Sequence, residues 1–171
     1  MKVLIINGRG MSGKDTFVKY FKENAKGRFV LNYSTIDTIK NIAKLLGYTD
    51  KKTVDERKLL HDMKMGWKNL IDGPFNETVE RIKECDVNGV DYLFIHCREI
   101  SEIERISKWC ENNNIHCIDI LVDDGKDIHL NNQADDDVKN YNYDFTIMND
   151  GSLDDLNEKS GLIYNIVEAL A

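Results

Sequence analysis

The segment Gly8–Lys14 limits what this chain can fold into more than any other stretch. Two of its glycines, Gly8 and Gly13, are separated by four residues and followed at once by Lys14. An apolar run, Val3–Ile6, precedes this segment, and the helix-forming residues 17–21 follow it. Glycines let backbone N–H groups curl around a phosphate, and the N-terminus of the next helix faces the same anion. The order of strand, glycine loop and helix therefore predicts a P-loop that binds a nucleotide phosphate.

Within this loop, Lys14 is expected to reach the outer phosphates of the nucleotide. The position after the lysine normally holds a Ser or Thr that binds magnesium, but here it is Asp15, with Thr16 one place later. A carboxylate is also a hard oxygen donor, so Asp15 is a candidate Mg²⁺ ligand, directly or through water, and Thr16 is the second candidate. The alternative is that Asp15 only complements the helix dipole. The nucleotide-binding residues predicted from the motif are Gly8, Gly10, Ser12, Gly13, Lys14, Asp15 and Thr16.

Composition narrows the class of protein. The chain has 171 residues, 42% of them hydrophobic and 31% charged, which is typical of one soluble domain. The formal net charge of −7 argues against a nucleic-acid or membrane-surface partner, because a polyanion needs a basic face. The first apolar run is too short for a signal peptide, so we expect a cytoplasmic protein. The four cysteines show no metal-ligand spacing and are interpreted as reduced residues in or near the core.

The rest of the chain alternates between strand and helix patterns. Such alternation predicts an α/β fold with a parallel sheet covered by helices on both faces, and ligands at the carboxyl ends of the strands. Three loops are then expected to meet at one crevice, namely residues 8–14, 34–40 and 96–102. The predicted strands are residues 3–6, 28–34, 91–96, 115–122 and 143–148. The predicted helices are residues 12–25, 36–46, 53–71, a further helix through Lys83, one ending at 112–114, and 152–170.

Four pieces of the sequence resemble the deoxynucleoside monophosphate kinase group of P-loop kinases. They are residues 8–16, residues 33–40, Arg98 with Glu102, and residues 149–153. An Asp after the P-loop lysine is shared mainly with this group and with the similar phosphomevalonate kinases. The resemblance implies an adenylate kinase-like P-loop fold of three layers, with five parallel strands in the order 2-3-1-4-5. It also implies one domain, 1–171, with an acceptor-side flap at about 50–84 and a lid at about 123–142.

The resemblance also implies an activity, which is phosphoryl transfer from ATP with Mg²⁺ to an acceptor phosphate. Lys14, Arg9 and Arg98 would be the cations that follow charge across the transferring group. For Arg9 the alternative is a loop arginine that only meets solvent. For Arg98 it is a salt bridge to Glu102.

The acceptor is expected just after the second strand and under the flap. Asp37 and Lys40 would lie beside it, and the Arg57 guanidinium suits a monophosphate because its fork matches two oxygens. The alternatives are that Asp37 caps a helix while Lys40 and Arg57 are surface charges.

The sequence departs from the family pattern at two places, a position that binds the metal and the lid segment. Family members usually carry an Asp at the end of strand three that helps hold magnesium, whereas this chain has His96. The lid segment 123–142 has no arginine, only Lys126 and Lys139, and carries several aspartates. Its segment Asn131–Asp135 is a candidate contact for the adenine base through its amides.

Three functions remain open from the sequence. The first is a kinase of nucleoside or deoxynucleoside monophosphates. The second keeps the chemistry but uses another small phosphorylated metabolite, similar to phosphomevalonate. The third is a nucleotide-binding module that has lost phosphoryl transfer, as the two departures suggest. The expected partners are a nucleotide and a small phosphorylated acceptor, and the oligomeric state is left open.

Overall fold

A computed structural model describes residues 1–51, 53–126 and 137–170. Five strands form one sheet: β1 Lys2–Asn7, β2 Val30–Ser34, β3 Tyr92–His96, β4 His116–Asp123 and β5 Phe145–Met148. Within these described residues, six helices surround it: α1 Lys14–Asn24, α2 Asp37–Leu45, α3 Val54–Ile71, α4 Gly73–Val87, α5 Ile100–Asn112 and α6 Leu153–Ala169. A short 3₁₀ turn covers Asp137–Asn140.

The strand order is β2-β3-β1-β4-β5, and every neighbouring pair is parallel. This confirms the α/β fold predicted from the sequence, with its sheet order and its helices on both faces. In the register, Ile6 of β1 pairs with His96 of β3 on one side and with Ile120 of β4 on the other. The glycine loop that follows β1 therefore begins between the carboxyl ends of β3 and β4.

Alternate residues of the central strands pack against two different helix layers, as the period of a strand requires. On one face, Leu4 and Ile6 join Phe17 and Phe21 of α1, all with no exposed surface. Phe21 also meets the Tyr92 ring edge-on at 5.3 Å. The other face packs on α4 and α5, through a cluster that includes Val3, Ile5, Ile82, Leu93, Ile103 and Ile106. Burying a large apolar side chain contributes about 1.5–3 kcal/mol, so both layers hold the sheet firmly.

Two strands, β2 and β5, begin two residues later than the sequence pattern predicts. Phe29 is 48% exposed and its N–H donates to the Asp91 side chain, so β2 starts only at Val30. Before β5, the carboxylate of Asp144 accepts a hydrogen bond from the backbone N–H of Asp119 at 2.8 Å. In both places a side chain takes over a backbone hydrogen bond, which shortens the strand.

Helix caps follow the local sequence rules. The Thr53 hydroxyl accepts a hydrogen bond from the N–H of Glu56 at the start of α3. Ser152 and Asp155 form a reciprocal capping box at the start of α6. Both starting points agree with the boundaries expected from the sequence.

Helix α3, in the segment predicted as the acceptor-side flap, is tied to the start and middle of α5 by ion pairs. Lys64 pairs with Glu99, Lys68 pairs with Glu102 at 2.5 Å, and Arg105 pairs with the Asp72 carboxylate that follows α3. Apolar contacts add a small core under α2 and α3, formed by Ile39, Ala43, Tyr48 and Leu60 with Met63 and Trp67. Among the described residues, no helix combines the length and apolar character needed to cross a bilayer.

All four cysteines are free thiols. Cys85, Cys97 and Cys110 are buried, and Cys117 is half-buried. Burial raises the pKa of the Cys97 thiol to about 12, so this group stays protonated at neutral pH.

Candidate functional site

The glycine loop adopts a backbone that only glycine fits at two positions. Gly8 has φ +149° and Gly13 has φ +96°. A Cβ at Gly8 would lie 2.4 Å from the carbonyl oxygen of Val122, and a Cβ at Gly13 would lie 2.4 Å from Asn149 Nδ2. The motif glycines are therefore required by close approach to β4 and to the residue after β5, as well as by backbone angle.

The Lys14 ammonium lies inside the loop and hydrogen-bonds to its backbone. Lys14 Nζ donates to the carbonyl oxygens of Gly8 and Arg9, both at 2.6 Å, and lies 3.5 Å from the Ser12 hydroxyl. These contacts hold the cation at the centre of the loop rather than in solvent. The positive charge thus lies where the sequence predicts the outer phosphates of a nucleotide.

Helix α1 begins at Lys14 with no side-chain cap, because its N-cap residue is Gly13. The first N–H groups of a helix have no intrahelical partner, and its dipole favours an anion there. The side chain of Asp15 is 94% exposed at this end. The open face of the loop therefore offers backbone donors, one ammonium and one carboxylate within the first helical turn.

Asn7, the last residue of β1, supports the loop from below. Its side chain is fully buried, its Oδ1 accepts the N–H of Gly8 at 2.7 Å, and its Nδ2 donates to the Tyr143 hydroxyl at 2.7 Å. The same Nδ2 lies 3.3 Å from the carbonyl oxygen of Arg98. Asn7 was not among the residues predicted from the sequence, although a polar residue at the end of an otherwise apolar strand is a usable signal.

Asn149 supports the loop from the side of β5. Its Nδ2 donates to the carbonyl oxygen of Ser12 at 2.8 Å. Its backbone N–H donates to the carbonyl oxygen of Asp123 at 2.6 Å. Asn149 lies in the segment 149–153 that carries part of the family resemblance, but its contact with the loop was not predicted from the sequence. Together with Asn7, it makes the loop a rigid cradle held from two strands.

Arg9 points across the loop toward the segment that follows β4. One guanidinium nitrogen donates to the carbonyl oxygen of Lys126, and the buried Nε has no hydrogen-bond partner among the described residues. The side chain is half-buried. The interpretation of Arg9 as a purely solvated residue therefore does not fit its position.

Arg98 follows β3 and is exposed beside the loop. Its Nη2 lies 4.0 Å from the position that a Cβ would take at Gly10. Glu102, which the sequence offered as a salt-bridge partner, is buried and is engaged by Lys68 and Arg105. The structure thus brings Arg98 together with the phosphate loop.

His96 ends β3 under the first turn of α1, where the family pattern has an Asp. Its Nδ1 lies 3.9 Å from Asp15 Oδ1, beyond hydrogen-bond reach, and its buried Nε2 has no partner among the described residues. Burial lowers the pKa of His96, and the nearby Asp15 carboxylate opposes that shift. The imidazole is therefore neutral at pH 7.

The predicted acceptor residues lie at two places. Asp37 is the first residue of α2, and its carboxylate accepts the N–H of Ser34 at 2.9 Å. This bond holds the turn between β2 and α2, and it does not cap the helix, whose N-cap residue is Ile36. Lys40 is half-buried on the same helix, and both charges act on His96 across the crevice. Arg57 is exposed on the first turns of α3.

The predicted lid is described only at its two ends. After β4, Asp123 accepts the N–H of Gly125 at 3.1 Å, and Asp124 lies 3.6 Å from the Lys126 ammonium. Asn131–Asp135, the candidate adenine contact, lies outside the described residues. Across residues 1–51, 53–126 and 137–170, no group of three or more His, Cys, Asp or Glu side chains is arranged to hold a metal.

No protein-family model matches the sequence, and none of the curated proteins searched matches it. Among solved structures, the chain is similar to a mutant of the APS kinase CysC of Mycobacterium tuberculosis, with 14% sequence identity and a TM-score of 0.52. That similarity covers 98% of this chain and 97% of the other. The crystal structure of APE1195 is similar with 14% identity and a TM-score of 0.57, over 99% of this chain and 95% of that one. At this identity the similarity shows the fold alone, a five-stranded parallel sheet with helices on both faces.

Proposed function

We propose that this protein transfers a phosphoryl group from ATP to a nucleoside or deoxynucleoside monophosphate. The observation that carries the proposal is the position of the Lys14 ammonium, 2.6 Å from the carbonyl oxygens of Gly8 and Arg9 inside a loop that opens at the uncapped start of α1. Phosphoryl transfer relies on alignment and on fixed positive charge more than on covalent help from the protein. A preformed cationic loop supplies both.

The proposed roles follow from position. Lys14 binds the outer phosphates through its ammonium, while the backbone N–H groups of the loop and of the first turn of α1 bind the phosphate oxygens. Arg9 and Arg98 reach the transferring group from two sides of the loop. Asp15, directly or through water, or Thr16 would hold Mg²⁺ together with phosphate oxygens, and the ion would neutralise charge on the transferring group.

The acceptor monophosphate lies, in this proposal, between the phosphate loop and the flap segment at about 50–84. Lys40 and Arg57 supply cations on that side, and Asp37 shapes the loop that leads into α2. The fold shared with an APS kinase supports a small-molecule acceptor in general. Residues 8–16 resemble both the deoxynucleoside monophosphate kinases and the phosphomevalonate kinases. The further resemblance of residues 33–40, Arg98 with Glu102 and residues 149–153 to the first group favours a nucleoside monophosphate.

The test is incubation with ATP and Mg²⁺ and a panel of ribonucleoside and deoxynucleoside monophosphates, phosphomevalonate and APS, with ADP and the phosphorylated product both measured. Conversion of one acceptor, lost in Lys14→Ala, is the expected result. Lys19→Ala is the matched control, because Lys19 is exposed on the same helix. Full activity of a folded Lys14→Ala variant would overturn the proposal.

A second candidate function is nucleotide binding without transfer. It is favoured by the presence of His96 at the position where the similar kinases usually carry an Asp. It predicts ATP binding that depends on Lys14 while every acceptor remains unchanged. The same panel separates the two functions, provided that nucleotide affinity is measured alongside turnover.

A further inference from the structure

The short connection between β3 and α5 carries Arg98 to the phosphate loop. Arg98 Nη2 lies 4.0 Å from the position that a Cβ would take at Gly10. On the side of β1, the N–H of Cys97 donates to the carbonyl oxygen of Ile6 at 3.3 Å, and Asn7 Nδ2 donates to that of Arg98 at 3.3 Å. The connection is therefore bound on this side to the strand that leads into the loop.

Lys64 of helix α3 holds the other end of the connection. It forms an ion pair with Glu99, which directly follows Arg98 and is the N-cap residue of α5. The Glu99 side chain makes no capping hydrogen bond to the described first turn of that helix, so its carboxylate serves the ion pair instead. Only 8% of the Lys64 side chain is exposed, and among the lysines whose burial the structure describes it is the one that is buried.

Stability alone does not account for a buried ammonium at this place. Removal of a charge from water costs free energy that pairing often only offsets, and an apolar side chain of similar volume stabilises a fold as well or better. The ion pair adds a fixed position for the Glu99 carboxylate, and through it for the backbone next to Arg98. Such fixation matters for a catalytic cation, because a misplacement of about 1 Å can reduce a rate about 10²-fold.

Lys68 makes a similar contact one helical turn later, but not to this connection. Its ammonium pairs with Glu102 at 2.5 Å, within α5, and 31% of its side chain is exposed. Glu102 also pairs with Arg105, so it keeps a cationic partner when Lys68 is removed. Lys68 thus joins the same two helices without contacting the residue beside Arg98.

We propose that Lys64 is a positioning residue, which acts through Glu99 to hold Arg98 where its guanidinium meets the terminal phosphate of the nucleotide. This inference rests on the proposed function, in which Arg98 contacts the transferring group. Lys64 itself contacts neither nucleotide nor acceptor in this proposal. Its effect should therefore depend on the presence of Arg98.

The first measurement compares the affinities for the non-hydrolysable analogue AMPPNP and for ADP, both with Mg²⁺. The variants are Lys64→Met, Arg98→Ala, the double variant and the control Lys68→Met, since methionine keeps an unbranched stem without the ammonium. We expect Lys64→Met and Arg98→Ala each to weaken AMPPNP binding about tenfold relative to ADP, as for one lost hydrogen bond to a charged group. The double variant should lose no more than Arg98→Ala alone, and Lys68→Met should match the wild type.

The ratio of the two affinities separates positioning from folding, because partial unfolding weakens the binding of both nucleotides alike. Lys64→Arg keeps the positive charge and should recover most of the AMPPNP affinity. Where the acceptor panel identifies a substrate, Lys64→Met should lower kcat about tenfold in the wild type and leave it unchanged in the Arg98→Ala background.

The outcomes distinguish this inference from the proposed function. An equal effect of Lys64→Met with and without Arg98, or no effect of either single variant, would overturn the inference and leave the proposed function intact. The expected affinity pattern with every acceptor unchanged would support the inference and overturn phosphoryl transfer. Absence of nucleotide binding in the wild type would overturn both.

Discussion

The hydroxyl of Tyr143 accepts a hydrogen bond of 2.7 Å from the side-chain amide of Asn7, across 136 residues of sequence. The same asparagine accepts the N–H of Gly8, so a residue just before β5 helps to hold the first residue of the phosphate loop. Burial raises the pKa of Tyr143 to about 12, and the phenol therefore stays neutral and available for this bond throughout the physiological range. The loop owes its shape to these contacts as well as to its glycines.

Replacing Tyr143 with phenylalanine should destabilise the protein and weaken nucleotide binding. The change leaves a buried N–H of Asn7 without its partner, which costs about 1–3 kcal/mol. Urea unfolding and nucleotide titration measure the two effects. Tyr20→Phe on α1 removes a phenol that is remote from Asn7 and should leave nucleotide affinity unchanged; an equal loss in both variants would contradict the prediction.

Gly13→Ala should reduce nucleotide affinity by about tenfold or more and also lower the Tm. The new Cβ would lie 2.4 Å from Asn149 Nδ2, and φ is +96°, a backbone conformation that costs a non-glycine residue about 1–3 kcal/mol. Gly66→Ala is the matched control, because a Cβ there meets open space within α3 and should stabilise the helix by about 1 kcal/mol. Isothermal titration and thermal unfolding of both variants check the prediction. Unaltered affinity in Gly13→Ala would show that the approach of Asn149 to the loop is not required.

The kinetic constants of Arg98→Ala and Arg57→Ala should differ, because Arg98 is proposed to act in phosphoryl transfer and Arg57 in acceptor binding. Arg98 lies beside Gly10, so its loss should lower kcat by about 10²–10³, the usual effect of removing one charge-stabilising donor. Arg57 is exposed on α3, and its loss should raise the KM for the acceptor with kcat little changed. Steady-state kinetics with varied acceptor distinguish the two. Arg28→Ala is the control, because Arg28 precedes β2 at the opposite end of the sheet and pairs with Asp91 and Glu168. It should change neither constant, and a matching drop in kcat there would remove the special role of Arg98.

Asp72→Asn should make the protein less stable at neutral pH but not in acid. The hydrogen-bonded Arg105 guanidinium lowers the pKa of Asp72 in the folded state below its value in the unfolded chain. The stabilisation is therefore present above about pH 4 and is lost as the pH falls through the folded pKa. Asparagine tolerates the left-handed backbone at this position, φ +53°, so the substitution acts through the side chain, which loses its charge and one of the two oxygens that accept from Arg105.

For Asp72→Asn the expected loss at pH 7 is at most about 1 kcal/mol, because the pair is partly exposed to solvent. Urea unfolding at pH 7, 5 and 3 measures the difference from the wild type. That difference should shrink toward zero at pH 3. A difference that stays constant with pH would mean that the carboxylate charge contributes nothing there.

The sequence by itself determined the features that depend on neighbouring residues. The periodic spacing of hydrophobic residues, together with the turn residues, predicted five strands and the helices between them. The spacing from Gly8 to Lys14 predicted the phosphate loop. The caps at Thr53 and Ser152 involve residues only three positions away, so their partners can be identified without a fold.

Only the tertiary structure decided which distant side chains meet. Glu102 was a reasonable partner for Arg98 on the sequence, but α3 brings Lys68 to it from 34 residues away. Asn7 and Tyr143 meet across the sheet, and His96 comes to lie under Asp15 because β3 pairs beside β1. These contacts depend on strand order, register and helix placement. The spacing of apolar residues along the sequence, with a period of 2 in strands and 3.6 in helices, does not encode them.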